Sequence, residues 1–264
     1  MKKKQKYSVS FILGCVLSAF ILFLTVLGFF WTPYDPTKMN SKLKLAGCSL
    51  QHIMGCDNFG RDIFSRVLEG LGSTFSIALA TVIFGVFFGI IIGAFTGYYG
   101  GWIDEVLMGI NNVIFAFPSL LLALVFVSLF GTGKYNVVIA LGIAFIPSFA
   151  RIVRGEFIKY RDMDYVKMAK LAGAGDLRIM FVHILPNTFT VLLSSFMIGF
   201  NNAVLAEAGM SYLGIGVQPP DSSLGSMLSD AQGFLFSAPW YALFPGLMII
   251  LLVLGFSLIA DGLK

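Results

Sequence analysis

The sequence predicts an all-α membrane protein with six transmembrane helices and both termini on the cytoplasmic side. Three observations lead there. Of 264 residues, 57% are hydrophobic and only 12% charged, and the mean hydropathy is +0.86. A soluble domain is about a quarter charged and could not fold away this much apolar sequence. Charge-free apolar runs recur along the chain, each able to cover a hydrocarbon core about 30 Å thick. The basic residues are unevenly shared between the loops.

The first span falls in the charge-free run 7–34, behind Lys2, Lys3, Lys4 and Lys6. The start imitates a signal peptide. The run is longer than a short signal core, however, and no small-x-small cleavage site ends it, so it reads as a retained helix. Runs 70–103 and 106–133 supply the second and third spans. Run 135–150 is shorter and is expected to continue through Arg151 into a cytoplasmic tail. Runs 188–206 and 231–260 supply the fifth and sixth. With the N-terminus inside, those four lysines, Arg151, Arg154, Lys159, Arg161, Lys167, Lys170, Arg178 and Lys264 are cytoplasmic. Lys38, Lys42, Lys44, Arg61, Arg66 and Lys134 fall outside, so the first external loop is more basic than the rule favours. Gly85, Gly89, Gly93 and Gly97 recur every fourth residue in the second span, which lines them on one face where another helix can approach closely.

No arrangement for covalent chemistry emerges. "GTGK", ending at Lys134, lacks the GxxxxGK[ST] spacing of a phosphate loop. There is no GxSxG, CxxC or HxxxH, and His183 stands alone, so neither a catalytic site nor a metal site is predicted. The basic residues form no soluble basic domain, which gives nucleic-acid binding no support. Glu207, near the outer end of the fifth span, is the carboxylate placed well within a span, with Asn201 and Asn202 one to two turns below it. These three are candidates for a translocation path or gate. Such a charge faces a bundle interior or an aqueous path, or bonds to another subunit, and the sequence leaves these open.

The charged insert "DYVKMAKLAGAGDLRIMFVHILPN", 164–187, sits between two apolar spans. Asp162 or Asp164 can cap a first helix. Tyr165, Met168, Ala169 and Ala172 then share one face, while Lys167 and Lys170 face elsewhere. Gly173 and Gly175 break the helix, Asp176 can cap a second one, and Pro186 is expected to close it. An apolar stripe rimmed by charge on the cytoplasmic side suits a soluble partner.

The insert resembles the "EAA" loop of bacterial ABC importer permeases. The triplet positions are Lys167, Met168 and Ala169, the glycine is Gly173, and the later Leu-Pro is Leu185-Pro186. Two of the three triplet residues depart from the pattern. "HIMGCDNFGRDIFSRVLEG", 52–70, is similar to the GTDxxGRDxxSR segment of the dipeptide/oligopeptide/nickel permeases, and "EAGMSYLGIGVQPPDSSLGSML", 207–228, to their SFLGLGVQPP segment. In order, the three stretches resemble the second, C-type permease of that family. The resemblance implies a type I ABC importer permease fold with a cytoplasmic coupling helix, in a bacterial cytoplasmic membrane. Residues 1–69 would be an N-terminal span with an external segment, and 70–264 a core of five spans with a coupling loop at about 161–187.

It further implies a second homologous permease subunit, two cytoplasmic ATPase subunits, an extracytoplasmic solute-binding protein and surrounding lipid. This chain itself would bind no cofactor, with ATP and Mg on the partner ATPases. Tyr165, Lys167, Met168, Ala169, Ala172, Gly173, Ala174, Gly175, Asp176, Leu185 and Pro186 are the expected coupling residues. Peptides are the expected cargo, with nickel or a metal–metallophore chelate as the alternative and an ion-coupled secondary transporter as a different class. Where the family has Gly-Thr-Asp this chain has Gly55-Cys56-Asp57. Cys48 lies nearby in the same external loop, so a disulfide or two free thiols are both open. No tail domain is expected after Asp261-Gly262-Leu263-Lys264.

Overall fold

The computed structural model describes residues 9–262. Lys2, Lys3, Lys4, Lys6 and Lys264 lie outside them. Helices α1 (Val9–Phe30), α2 (Ile63–Tyr99), α5 (Lys134–Arg161) and α10 (Trp240–Gly262) are each long and apolar enough to cross a membrane. So is the helical run Asp176–Tyr212. That run comprises α7 (Asp176–Arg178), a π-helical stretch Ile179–Ile184, a 3₁₀ turn Leu185–Thr188 and α8 (Phe189–Tyr212).

The expected third span is not one helix. It is a pair, α3 (Gly101–Phe115) and α4 (Ser119–Phe130), bent by 88°. Pro118, at the N-cap of α4, has no N–H to donate, and it pushes the residue before it away from helical geometry. Among the described residues there are thus five helices long and apolar enough to cross a membrane, or six spans if the bent pair counts as one. Two short helices complete it, α6 (Asp164–Leu171) in the charged insert and α9 (Leu224–Ala231) before the last span. Among the described residues there is no β-strand, only an isolated antiparallel bridge between Cys56 and Asp62.

The second span starts earlier than the charge pattern suggests. Asp62 caps α2, its Oδ2 accepting from the Ser65 N–H at 2.8 Å, which puts Glu69 inside the helix. Helix α2 is the axis of the molecule, and α5 is its main partner. The glycine row makes this contact. A β-carbon on Gly89 would lie 2.5 Å from Phe149 Cβ, one on Gly93 2.5 Å from the Ala150 carbonyl oxygen, and one on Gly97 2.6 Å from Phe157 Cβ. Gly85 faces Phe145 and Phe149 in the same line. Pro147 lies within α5, and its carbonyl accepts from Asn111 Nδ2 of α3 at 3.2 Å.

A second close crossing joins the first and last spans. Gly14 of α1 meets the backbone at Ile259, Gly255 meets Ser18, and Gly262 meets Phe11. In lipid, where apolar surface alone does not drive helices together, such small-residue contacts carry the packing.

Gly93→Leu must push α2 and α5 apart, so it is expected to cost about 1–3 kcal/mol or more. Gly109→Ala, where a β-carbon meets nothing within 4 Å, should cost nothing. Thermal unfolding of the detergent-solubilised protein compares the two; equal midpoints would remove the glycine row from the packing account.

Candidate coupling loop and translocation cleft

Helix α6 hangs from the cytoplasmic end of α5. Val166 is 3% exposed and packs with Ala169 and Ala174 into a cluster containing Ala94 of α2, Val153 and Phe157 of α5, and Ile179, Met180 and Ile184 of the π-helical stretch. The outer face carries Tyr165, Met168 (70% exposed) and Leu171 (88% exposed). The expected stripe is thus corrected by rotation. Ala169 points inward, and Leu171, outside the stripe read from the sequence, is the most exposed apolar side chain of the helix. Ala172 and Lys167 are exposed, and Lys167 lies 3.6 Å from the Asp164 carboxylate.

The capping also differs from expectation. Met163 occupies the N-cap, and neither Asp162 nor Asp164 supplies a side-chain cap. Gly173 has φ +85°, the left-handed geometry that ends helices, while Gly175 is extended at φ −71°. Asp176 accepts from the Tyr98 hydroxyl at 2.7 Å and so ties the loop to the end of α2.

Pro186 does not close a helix. The preceding π-helical stretch and the 3₁₀ turn accommodate its missing N–H, and the helical run continues into α8. Leu185 and Pro186 sit at the root of α8 in an apolar groove with Val86 and Ile90 of α2, away from the outer face of α6. Further bonds hold the cytoplasmic end of α5 to its neighbours. Arg161 donates to the Gly97 carbonyl at 3.0 Å, and Arg154 grips Asp104 of α3 through two bonds of 2.6 Å. The loop is thus packed on or bonded to α2, α5 and the π-helical stretch that leads to α8.

Above the loop a cleft of ≈ 580 Å³ opens between the bent pair, α5 and α8. Its walls are aromatic and apolar (Phe115, Phe117, Phe145, Phe149) with neutral polar groups at Ser119, Ser148, Ser195 and Asn202. No charged residue lines it. Phe149 also packs against Gly85, Gly89 and Gly199, so one ring serves both the helix crossing and the cleft wall.

The three candidates in α8 are separated by the structure. Asn202 lines the cleft, Asn201 is buried, and Glu207 is fully buried and lines no part of the cleft. Glu207 Oε1 accepts from the Ser211 hydroxyl at 2.7 Å, and that hydroxyl accepts from the Val217 N–H at 3.1 Å. Thr74 and Ser223 lie against the same carboxyl. Each of their oxygens accepts a backbone N–H, from Leu224 and Ser226, and Glu207 Oε2 itself has no hydrogen-bond partner among the described residues. Through Ser211, Glu207 thus ties the end of α8 to the segment that follows it at Val217.

At the external end, Asp57 is a buried hub. Its Oδ1 accepts from the N–H groups of Phe59 (2.8 Å) and Arg61 (2.9 Å), and its Oδ2 pairs with Arg61 Nε (2.6 Å) and Arg66 Nη1 (3.1 Å). Asp230 of α9 faces both arginines at 3.8 and 3.6 Å. Gly60, at φ +73°, has no room for a side chain against the Asn40 carbonyl. The GRDxxSR pattern is therefore the wiring of this external knot: Gly60 for the turn, Asp62 and Ser65 for the α2 cap, Arg66 for the hub.

Cys48 and Cys56 are not joined. Cys48 is exposed, whereas Cys56 is buried in the bridge to Asp62. Burial, reinforced by the Asp62 and Asp57 carboxylates, pushes the Cys56 thiol up to about 11.

The fold defines a multi-pass helical membrane protein of permease architecture. Residues 85–264 match the family described as the binding-protein-dependent transport system inner membrane component. The chain is 37% identical over 262 residues to the dipeptide transport system permease protein DppC of Alkalihalophilus pseudofirmus, covering 99% of this chain and 85% of that one. It is 42% identical over 249 residues to the glutathione transport system permease protein GsiD of Escherichia coli O157:H7, covering 93% and 82%. A chain of the MetNI methionine ABC transporter, solved in an inward-facing conformation, shares the fold with a TM-score of 0.62 at 17% identity, covering 74% of this chain and 93% of that one. The chain belongs to the binding-protein-dependent transport system inner membrane component family, and it is a permease subunit.

A membrane-impermeant maleimide applied to the solubilised protein should label Cys48 at neutral pH without prior reduction. Cys56 should stay unlabelled there, because a thiol with a raised pKa is protonated until the pH nears 11. Labelling of Cys48 only after reductant would establish a disulfide instead.

Proposed function

We propose that this chain forms half of the translocation path of an ATP-driven importer for di- or oligopeptides. It would act beside a second homologous permease, with two cytoplasmic ATPases that hold ATP and Mg, and with an extracytoplasmic solute-binding protein. The carrying observation is helix α6, whose outer face exposes Tyr165, Met168 and Leu171 while its inner face is seated on α2 and α5. A helix held this way has no apolar partner among the described residues for its outer face, yet its inner face rests on α5, which walls the cleft. Docking into an ATPase groove would bury that face and use that connection.

Peptide cargo is favoured by the cleft lining and by the relatives. Hydroxyls, an amide and aromatic faces suit amide backbones and varied side chains. A bare nickel ion would look for imidazole, thiolate or carboxylate ligands, and none lines the cleft. The relatives named above are dipeptide and glutathione permeases. An ion-coupled mechanism would draw on intramembrane carboxylates, but Glu207 is fully buried, bonded to Ser211 and away from the cleft.

Gly173→Asp forces a β-carbon onto a φ of +85° and adds charge at the docking turn, where nothing crowds the space. In the reconstituted complex it should lower ATP-driven uptake about tenfold or more, with membrane insertion unchanged. Undiminished uptake by this variant, or gradient-driven uptake by the purified chain alone, would sink the assignment.

A further inference from the structure

We propose that a second cleft, between α1, α2 and α5, is a binding site for one outer-leaflet phospholipid with a primary-ammonium headgroup, namely phosphatidylethanolamine. This cleft has a volume of ≈ 400 Å³ and does not communicate with the permease site through any shared lining residue. Its composition is graded along the membrane normal. Glu69, Ser73 and Lys134 line the external end, and Ile77, Ala80 and Val138 the deeper end. From Glu69 to Ala80 along α2 is about 16 Å at the helical rise, close to one leaflet of a core about 30 Å thick. A polar mouth over an apolar shaft one leaflet deep matches a headgroup and an acyl chain.

The mouth selects the headgroup. Glu69 Oε2 accepts from the Ser222 hydroxyl at 2.8 Å, and Lys134 pairs with Asp221 at 3.1 Å. A carboxylate has about four acceptor positions, so Glu69 can take Ser222 and an ammonium together. With the Lys134 charge offset by Asp221 outside the lining, Glu69 leaves the mouth net negative, which disfavours an anionic lipid. A quaternary choline cannot donate a hydrogen bond to Glu69, whereas a primary ammonium can, and Lys134 with Ser73 can receive the phosphate. Glu69 thereby has a role that a buried structural carboxylate would not need, since it stands half-buried at the lip.

The test uses the assembled transporter in nanodiscs containing equal amounts of phosphatidylethanolamine, phosphatidylcholine and phosphatidylglycerol. Native mass spectrometry reads the lipids retained after release. Wild type should retain the ethanolamine lipid in preference to the other two. Glu69→Gln should cut that preference about tenfold, the size of a lost charge-assisted bond. Ala80→Trp, which fills the shaft and leaves the mouth intact, should remove the retained lipid. Equal retention of the three lipids by wild type overturns the proposal without recourse to any variant. So does a preference that survives both substitutions, or a cysteine at Ser76 that cross-links to the second permease, which would show a helix in the cleft.

Discussion

The close approach of α2 and α5 underlies the rest of the molecule. Two helices in lipid gain little from burying apolar surface against each other, so contact must come from backbone proximity and dispersion. The row from Gly85 to Gly97 provides it by removing the side chains that would hold the axes apart. The external knot sits on the start of α2, the cytoplasmic cluster under Val166 is built from the ends of both helices, and the cleft opens against the far side of α5. Nothing at either membrane surface would hold its register if this pair separated.

The two ends are stabilised differently. The external end uses full burial, with Asp57 carrying four hydrogen bonds and two arginines. Removing one partner of such a pair strands a charge, which typically costs about 3–5 kcal/mol. The cytoplasmic end uses half-exposed ties, Arg154 to Asp104 and Tyr98 to Asp176, around a small apolar cluster. The external end is thus the more fully buried of the two, and the cytoplasmic end the more open one.

Spans were readable because apolarity over about twenty residues is a local property of the chain. The glycine row was readable for a similar reason, since a period of four places residues on one helix face. The same signal, Gly14 and Ser18, could have announced the α1–α10 crossing. Glu69 was missed because the span was bounded by charge; the Asp62–Ser65 cap would have started the helix earlier and placed this carboxylate inside it. Pro118 and Pro186 show the limit. One turns the chain by 88°, the other sits in a continuous helical run, and the difference lies in the neighbouring turns and not in the proline. The rotation of α6 was equally hidden, because only the cluster beneath it decides that Ala169 faces in and Leu171 faces out.

Phe149 has a consequence for how this protein can change. Its ring is pinned by Gly85 of α2 and Gly199 of α8, its Cβ meets Gly89, and it also forms part of the cleft wall. A substitution there that altered the passage would also pull apart the crossing of α2, α5 and α8. On the proposed reading of this cleft as the cargo path, changes in preference are channelled to wall positions outside the glycine contacts, such as Phe117, Ser119, Ser195 and Asn202. The cleft has one conservative flank and one permissive flank, and new specificities should accumulate on the permissive one.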